Sequence, residues 1–323
     1  MTLIQKNALV IGGSGFLGTA ICNQLVQAGY AITVATRRYS RARHLLTLPT
    51  CQIIQANIHD RVILSRLVHG QDVVINLLGV LHSKTGKPYG QDFRHNHVEF
   101  PKALCAVMKS KRIKRLIHVS ALGVGVQNPA PSQYLRSKTD GEAAVKETGL
   151  SWTIFRPSVV FGRNDQFLNL FATLNKALPV IPLAGADTQF QPISVHDVAQ
   201  AVLHCLTDLA NESIHKTYDL AGPETFTLKE IVQLAGQAIG IQRPVIGLPT
   251  ALAKLQAFVM ECLPGQPLIS RDNIDSLSID NISNSTESLF PLPSYSSFST
   301  MALEYLKARH DKTILDHFRE TAH

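Results

Sequence analysis

The chain has 323 residues, 45% hydrophobic and 17% charged, with a formal net charge of +7. That balance describes a globular core of one large or two modest domains and excludes a disordered or fibrous chain. Five scattered cysteines, with no CxxC pair and no Cys–His cluster, argue for a reducing compartment and against a disulfide framework or structural zinc.

In chain order, NALVIGG (7–13) predicts a strand and FLGTAICNQLVQAG (16–29) an amphipathic helix stopped at Gly29. AITVAT (31–36) is a second strand, followed by a helix through 41–48. CQIIQAN (51–57) is a third, followed by a helix over 61–68. DVVINLLG (72–79) is a fourth, a long helix covers about 96–110, and RLIHVSA (115–121) is a fifth. The YLRSK helix runs to about 148 and leads into a sixth strand, SWTIFRPS (151–158). Near-continuous apolar strands spaced by helices predict a parallel sheet covered on both faces, a doubly wound α/β fold of Rossmann type.

Beyond Phe161 the pattern loosens. Helices are expected over 166–178, 195–209 and 249–264, with a strand over 216–222. Asp197 with Gln200, and Thr227 with Glu230, each fit a capping box. A Ser/Asn/Pro-rich stretch (276–300) reads as a loop or linker before a last helix around 300–309.

GGSGFLG sets Gly12, Gly15 and Gly18 at GxxGxxG spacing between the first strand and the first helix. Such a loop turns tightly, lets backbone approach a pyrophosphate and presents a helix N-terminus to anions. Gly12, Ser14, Gly15, Phe16, Leu17 and Gly18 are therefore the expected dinucleotide cradle. An NAD site usually carries an acid after the second strand; this chain has Thr36, Arg37 and Arg38. A guanidinium suits a ribose 2′-phosphate, so NADP(H) is expected over NAD(H). The domain reading follows: residues 1–165 bind the dinucleotide, 166–275 form a smaller, partly helical C-terminal substrate or lid region packed on them, and 276–323 are a linker and terminal helix.

Ser120 ends the fifth strand at the carboxyl edge of the sheet, and Tyr134 and Lys138 follow at i and i+4 on one helix face. A serine holding a carbonyl, a tyrosine moving a proton and a lysine lowering that tyrosine's pKa make a coherent hydride-transfer site. Lys138 would also bond the nicotinamide ribose.

Through GGSGFLG, NLLG (76–79), Asn96, Ser120, YLRSK and RPSVVFG (156–162), residues 7–240 resemble the short-chain dehydrogenase/reductase superfamily in its extended or atypical branch. The resemblance implies that Asn96 completes the catalytic set. It also implies that Leu77, Leu78 and Gly79 line the adenine side together with Asn57 and Ile58, and that Pro157 to Val160 flank the nicotinamide. Asn57 stands where the family often has an aspartate. YLRSKTDGE, RPSVVFGRNDQFLNLF, PISVHDVAQAV and ISRDNID (269–275) further resemble the NAD(P)H-binding accessory subunit of respiratory complex I and its bacterial relatives, over nearly the full length. That implies tightly held NADPH and a link to quinone metabolism. Two readings follow: an oxidoreductase of a small, quinone-related carbonyl or alcohol, or a binding subunit or redox sensor without turnover. A nucleotide-sugar epimerase or dehydratase ranks lower, since the C-terminal part shows no nucleotide-sugar pattern.

The remaining features have plainer readings. Arg163, Asn164 and Asp165 read as loop structure, Asp197 as an N-cap and His118 as a core histidine. His95 and His97 flank Asn96 but point apart on a helix, a poor metal geometry. KSKRIKR (109–115) falls at a helix C-terminus, away from the cofactor edge, as a solvated face, and nucleic acid is disfavoured. The expected partners are a small-molecule substrate that the motifs do not specify and a protein complex or homo-oligomer. Peripheral membrane association through Leu252, Leu255, Phe258, Val259 and Cys262 is an alternative. With no signal-peptide pattern, the expected location is cytoplasmic, or peripheral to the inner face of a membrane.

Overall fold

The computed structural model describes residues 5–262, 265 and 267–308. Six strands, β1 (Asn7–Ile11), β2 (Ala31–Thr36), β3 (Cys51–Gln55), β4 (Val73–Asn76), β5 (Arg115–Val119) and β6 (Ser151–Pro157), join Lys216–Leu220 in one seven-stranded sheet. The order is Lys216–Leu220, β6, β5, β4, β1, β2, β3, and each pair is parallel. Chain order reverses between β1 and β4, so a crevice opens at the carboxyl ends of those strands.

The helices that matter to the site are α1 (Phe16–Gln27), α2 (Arg61–Val68), α3 (Gln91–Phe93), α4 (Phe100–Ser110) and α5 (Gln133–Lys146). Strand β4 is buried along its whole length, as a strand with both faces covered must be. On one face Leu9, Ile11, Val74, Leu116 and Ile154 pack with Leu64, Phe100, Leu104, Met108 and Val145. Each such Leu, Ile or Phe stabilises the fold by about 1.5–3 kcal/mol. That layer fixes where α4 and α5 present their polar faces.

Several elements depart from the sequence reading. The segment Tyr39–Thr47 is 3₁₀ rather than α, burying Ala42 and Leu45 at the three-residue spacing that 3₁₀ turns eclipse. The helix expected from 96 begins at Gln91 and runs through a π-helical stretch, Arg94–Glu99, before α4. Pro101 is the cause we assign: it has no N–H for the His97 carbonyl and its ring crowds that oxygen. Helix Val195–Thr207 starts two residues before Asp197, which therefore sits in its first turn and is not the N-cap. Thr227 and Glu230 do form the expected capping box.

By Cα packing the chain falls into two compact units. The first combines the described residues up to Pro157 with His196–Leu220 and Asn284–Leu292. The second combines Ser158–Val195, Ala221–Ser283 and the described residues from Pro293. No single break at 165 separates them, because the helix and strand over 196–220 complete the first unit's sheet.

The stretch 276–300 is not a free linker. In the first unit Phe290 is buried against Phe155, Tyr218 and His204. In the second, Asn281 Oδ1 accepts from Ser158 Oγ (2.6 Å) and from the Val159 N–H (3.1 Å). Residues 298–308 are helical, and Arg309 lies outside the described residues. The second unit has its own core, in which Phe161, Phe171, Phe190, Ile231, Val232 and Phe298 pack together. Among the described residues no helix is long and apolar enough to cross a membrane.

Candidate functional site

The glycine turn is built by close approach. Gly12 has φ +84°, and the Gly15 N–H donates to its carbonyl at 3.0 Å. A Cβ on Gly18 would lie 2.3 Å from that same oxygen and 2.5 Å from Gly13 Cα, so α1 rests directly on the loop. α1 starts with no side-chain cap and no acid in its first turn. Its leading N–H groups therefore have no side-chain acceptor, as an anion cradle requires. Ser14, Gly15, Phe16 and Leu17 keep part of their surface exposed along this rim.

Arg37 and Arg38 follow β2 and are both exposed, with Thr36 Oγ1 donating to the Arg38 carbonyl at 3.1 Å. After β3, Asn57 is exposed and accepts the His59 N–H (3.1 Å), while Ile58 is buried. After β4, Asn76 pins the Leu77–Gly79 turn: its Oδ1 accepts the Leu78 N–H (3.2 Å) and its Nδ2 donates to His118 Nδ1 (3.0 Å). Burial, then the Lys138 charge, hold His118 down at about 3, so it is a neutral core acceptor.

Ser120 follows β5 and is 4% exposed, yet its Oγ makes no sound hydrogen bond. It still lies near enough to the Glu142 carboxylate to help keep that group ionised. Lys138 is 5% exposed, and its Nζ reaches the Val119 carbonyl only at 3.4 Å. A Cβ on Gly79 would meet that Nζ at 3.3 Å. Glycine at 79 thus leaves the lysine room beside the turn after β4. Lys138 Nζ sits 6.0 Å from the Tyr134 ring centre.

Burial pulls Lys138 down to about 8, with Glu142 opposing. Burial also pushes the Tyr134 phenol up to about 12. That direction is opposite to the lysine-lowered tyrosine expected from the spacing.

The structure brings Tyr134, Lys138, Gly79 and Ser120 to one edge but does not bring Asn96 to them. Asn96 Nδ2 donates to the Asp92 carbonyl (2.8 Å) and its side chain neighbours His59. Its neighbour His97 turns inward instead. Nε2 of that ring accepts the Val80 N–H (3.0 Å), which leaves the proton on Nδ1 for Ser137 Oγ (2.8 Å), and the ring meets Tyr134 edge-on at 5.6 Å. Burial holds His97 down at about 2. A Cβ on Gly141 would lie 2.2 Å from the His97 carbonyl, so α5 packs hard against the π segment.

Pro157 ends β6 in the first unit, where its carbonyl accepts the Leu122 N–H (2.9 Å), while Val160 belongs to the second unit and pairs with Ile193. Asp165 is loop structure: buried, it accepts the Gly162 and Leu168 N–H groups and the Tyr305 hydroxyl.

The sequence reading assigned no part to Glu142 and did not show the inward turn of His97, the Asn76–His118 bond or the Arg156–Glu142 pair. Pro101 inside a helical pattern was the available sign of the π segment. Glu142, four beyond Lys138 and eight beyond Tyr134, continues one helical stripe. The solvated face expected of KSKRIKR does not extend to Arg115, whose guanidinium donates to the Ser151 and Cys205 carbonyls, Thr153 Oγ1 and Ser213 Oγ.

A parallel sheet with this switch point, a glycine turn under a helix N-terminus and a Tyr–Lys stripe beyond β5 define a Rossmann-type dinucleotide-binding protein of short-chain dehydrogenase/reductase architecture. Residues 12–209 match a family described as NAD(P)H-binding, and the chain belongs to that family. Among its relatives, the Arabidopsis thaliana protein named NADH dehydrogenase (ubiquinone) 1 alpha subcomplex subunit 9, mitochondrial, is 31% identical over 85% of this chain and 70% of that one. A Caulobacter vibrioides protein named ceramide reductase is 27% identical over 74% of this chain and 73% of its own length. Of solved structures, UDP-glucuronic acid 4-epimerase from Bacillus cereus, in complex with UDP-glucuronic acid and NAD, shares the fold. Its TM-score is 0.68 at 20% identity, over 94% of this chain and 99% of that one.

Proposed function

We propose that the chain is an NADP(H)-dependent oxidoreductase that interconverts a small carbonyl and its alcohol, with a quinone-related compound as the first candidate. One observation carries the reading: a buried serine hydroxyl, Ser120 Oγ, that makes no hydrogen bond of good geometry, beside the buried Lys138 at the carboxyl edge of the sheet. Burying a hydroxyl without a partner is costly, so such a group points to a ligand that completes it. When bound, the nicotinamide supplies or takes the hydride. Ser120 would hold the substrate oxygen, Tyr134 would move the proton at its hydroxyl, and Lys138 would bind the ribose hydroxyls and draw the phenol down from about 12. Arg37 and Arg38, with no acid beside them at the end of β2, support NADP(H) over NAD(H). The relative named ceramide reductase is in keeping with reduction.

A second reading, a binding subunit of a larger complex in which NADP(H) is structural, is favoured by the high Tyr134 pKa and by the relative named as a respiratory subunit. NADPH consumption with quinones and aromatic carbonyls, for wild type and Tyr134→Phe, separates the two. Turnover reduced by about 10²–10⁴-fold in the variant is expected. Turnover that survives the substitution overturns the acid–base role. No turnover with any acceptor, while NADPH raises the melting temperature, favours the binding subunit.

A further inference from the structure

α5 carries one more charged side chain that the reaction above leaves unused. Glu142 lies a helical turn beyond Lys138 on the same face and is 2% exposed. Arg156, from β6, grips it in bidentate fashion, with Nε to Oε1 at 2.8 Å and one terminal nitrogen to Oε2 at 2.7 Å. Lys146 Nζ adds a third donor to Oε2 at 3.1 Å. Three charge-assisted bonds on one carboxylate fix both its place and its ionised state.

Lys138 needs that charge. An ammonium taken out of water costs several kcal/mol unless it is paired, and the Val119 carbonyl at 3.4 Å is a weak partner. The titratable groups facing it are His97 from the π segment, His118 from β5, and Tyr134 and Glu142 from its own helix. Behind Glu142 stand Arg156 and Lys146, with Asp219 near Arg156. The two histidines are neutral at working pH and Tyr134 is protonated, so Glu142 is the negative charge in this set that acts on Lys138.

We propose that Glu142, locked by Arg156, is the positioning counter-charge of Lys138, holding its ammonium charged beside the Gly79 turn, where the cofactor ribose is expected. The inference rests on the cofactor reading above. Lys138 loses its charge as pH rises through about 8, and removing Glu142 moves that midpoint to lower pH, by about 1 or more.

NADPH binding followed by fluorescence from about pH 6.5 to 9.5, for wild type, Glu142→Gln and the double variant E142Q/R156Q, tests it. The double variant removes both buried charges together, which avoids stranding one and keeps the fold accessible. Wild-type affinity is expected to fall near pH 8. In E142Q the fall should begin at lower pH, and a midpoint lower by about 1 on the pH scale should weaken binding at pH 8 by up to about tenfold. The double variant, which also removes a neighbouring cation, should shift in the same direction by less. A lower melting temperature with an unmoved pH midpoint would mean that Glu142 only braces α5 against β6, and overturns the proposal. Absence of NADPH binding by wild type at every pH overturns it together with the cofactor reading.

Discussion

Gly18 shows how much one missing side chain can decide. Its Cα faces the Gly12 carbonyl so closely that any Cβ must push α1 off the loop. Gly18→Ala is expected to cost about 1–3 kcal/mol, as overpacking does, and to abolish dinucleotide binding. A thermal melt with and without NADPH checks both, and an unchanged melt with intact binding would contradict the turn geometry. This residue was legible in the sequence because its constraint is local: strand, turn and helix are contiguous. The placement of Ser120 at a strand end and of Tyr134 and Lys138 on one helix face was legible for a similar reason, since a strand end and an i, i+4 pair fix their directions. His97 was not, because its inward turn depends on contacts with Val80 and Ser137, far from it in sequence. Glu142 was missed because its partner Arg156 arrives from another element. Arg156 overcomes the burial penalty and holds the Glu142 carboxyl below its usual range. Its stabilisation is therefore present above the unfolded value of about 4.3 and is lost as pH falls through the folded one. Acid titration of stability should show that loss in wild type and not in Glu142→Gln; matching curves would contradict it.

Among elements, the meeting of α5 with the π segment has the largest consequence. Pro101 leaves the His97 carbonyl without its helical donor, and Gly141 lets α5 approach that oxygen. Tyr134 and Lys138 are carried by the same helix. Gly141→Ala should therefore destabilise the fold by about 1–3 kcal/mol and weaken NADPH binding as well. A denaturant titration paired with a binding isotherm measures both, and a loss of stability with unchanged affinity would separate α5 packing from the site. Periodicity located this helix and its neighbour but not the π turn, whose register change has no period of its own. The 3₁₀ segment at Tyr39–Thr47 was hidden similarly, since nine residues with two buried positions fit either helix. The stretch 276–300 misled by composition. Some of its polar side chains bond to the fold, as Asn281 does with Ser158 and Val159 and Ser288 with Asp219.

At the scale of the whole chain, the parallel sheet was readable because seven apolar runs alternate with helices and leave few topologies open. The division into units was not readable, because the return of 196–220 to the sheet is a long-range event that no local pattern announces. Net charge of +7 and exposed Arg37 and Arg38 suit an anionic cofactor carrying an extra phosphate. We propose that the first unit holds NADP(H), with the phosphate-bearing ribose read by those arginines. Isothermal titration of NADPH and NADH into wild type and the double variant R37A/R38A tests it most directly. The expected result is NADPH binding at least about tenfold more tightly than NADH in wild type, a difference of about 1.4 kcal/mol, with that ratio falling to near one in the variant. Equal affinities in wild type, or a preference for NADPH that survives loss of both arginines, would contradict it.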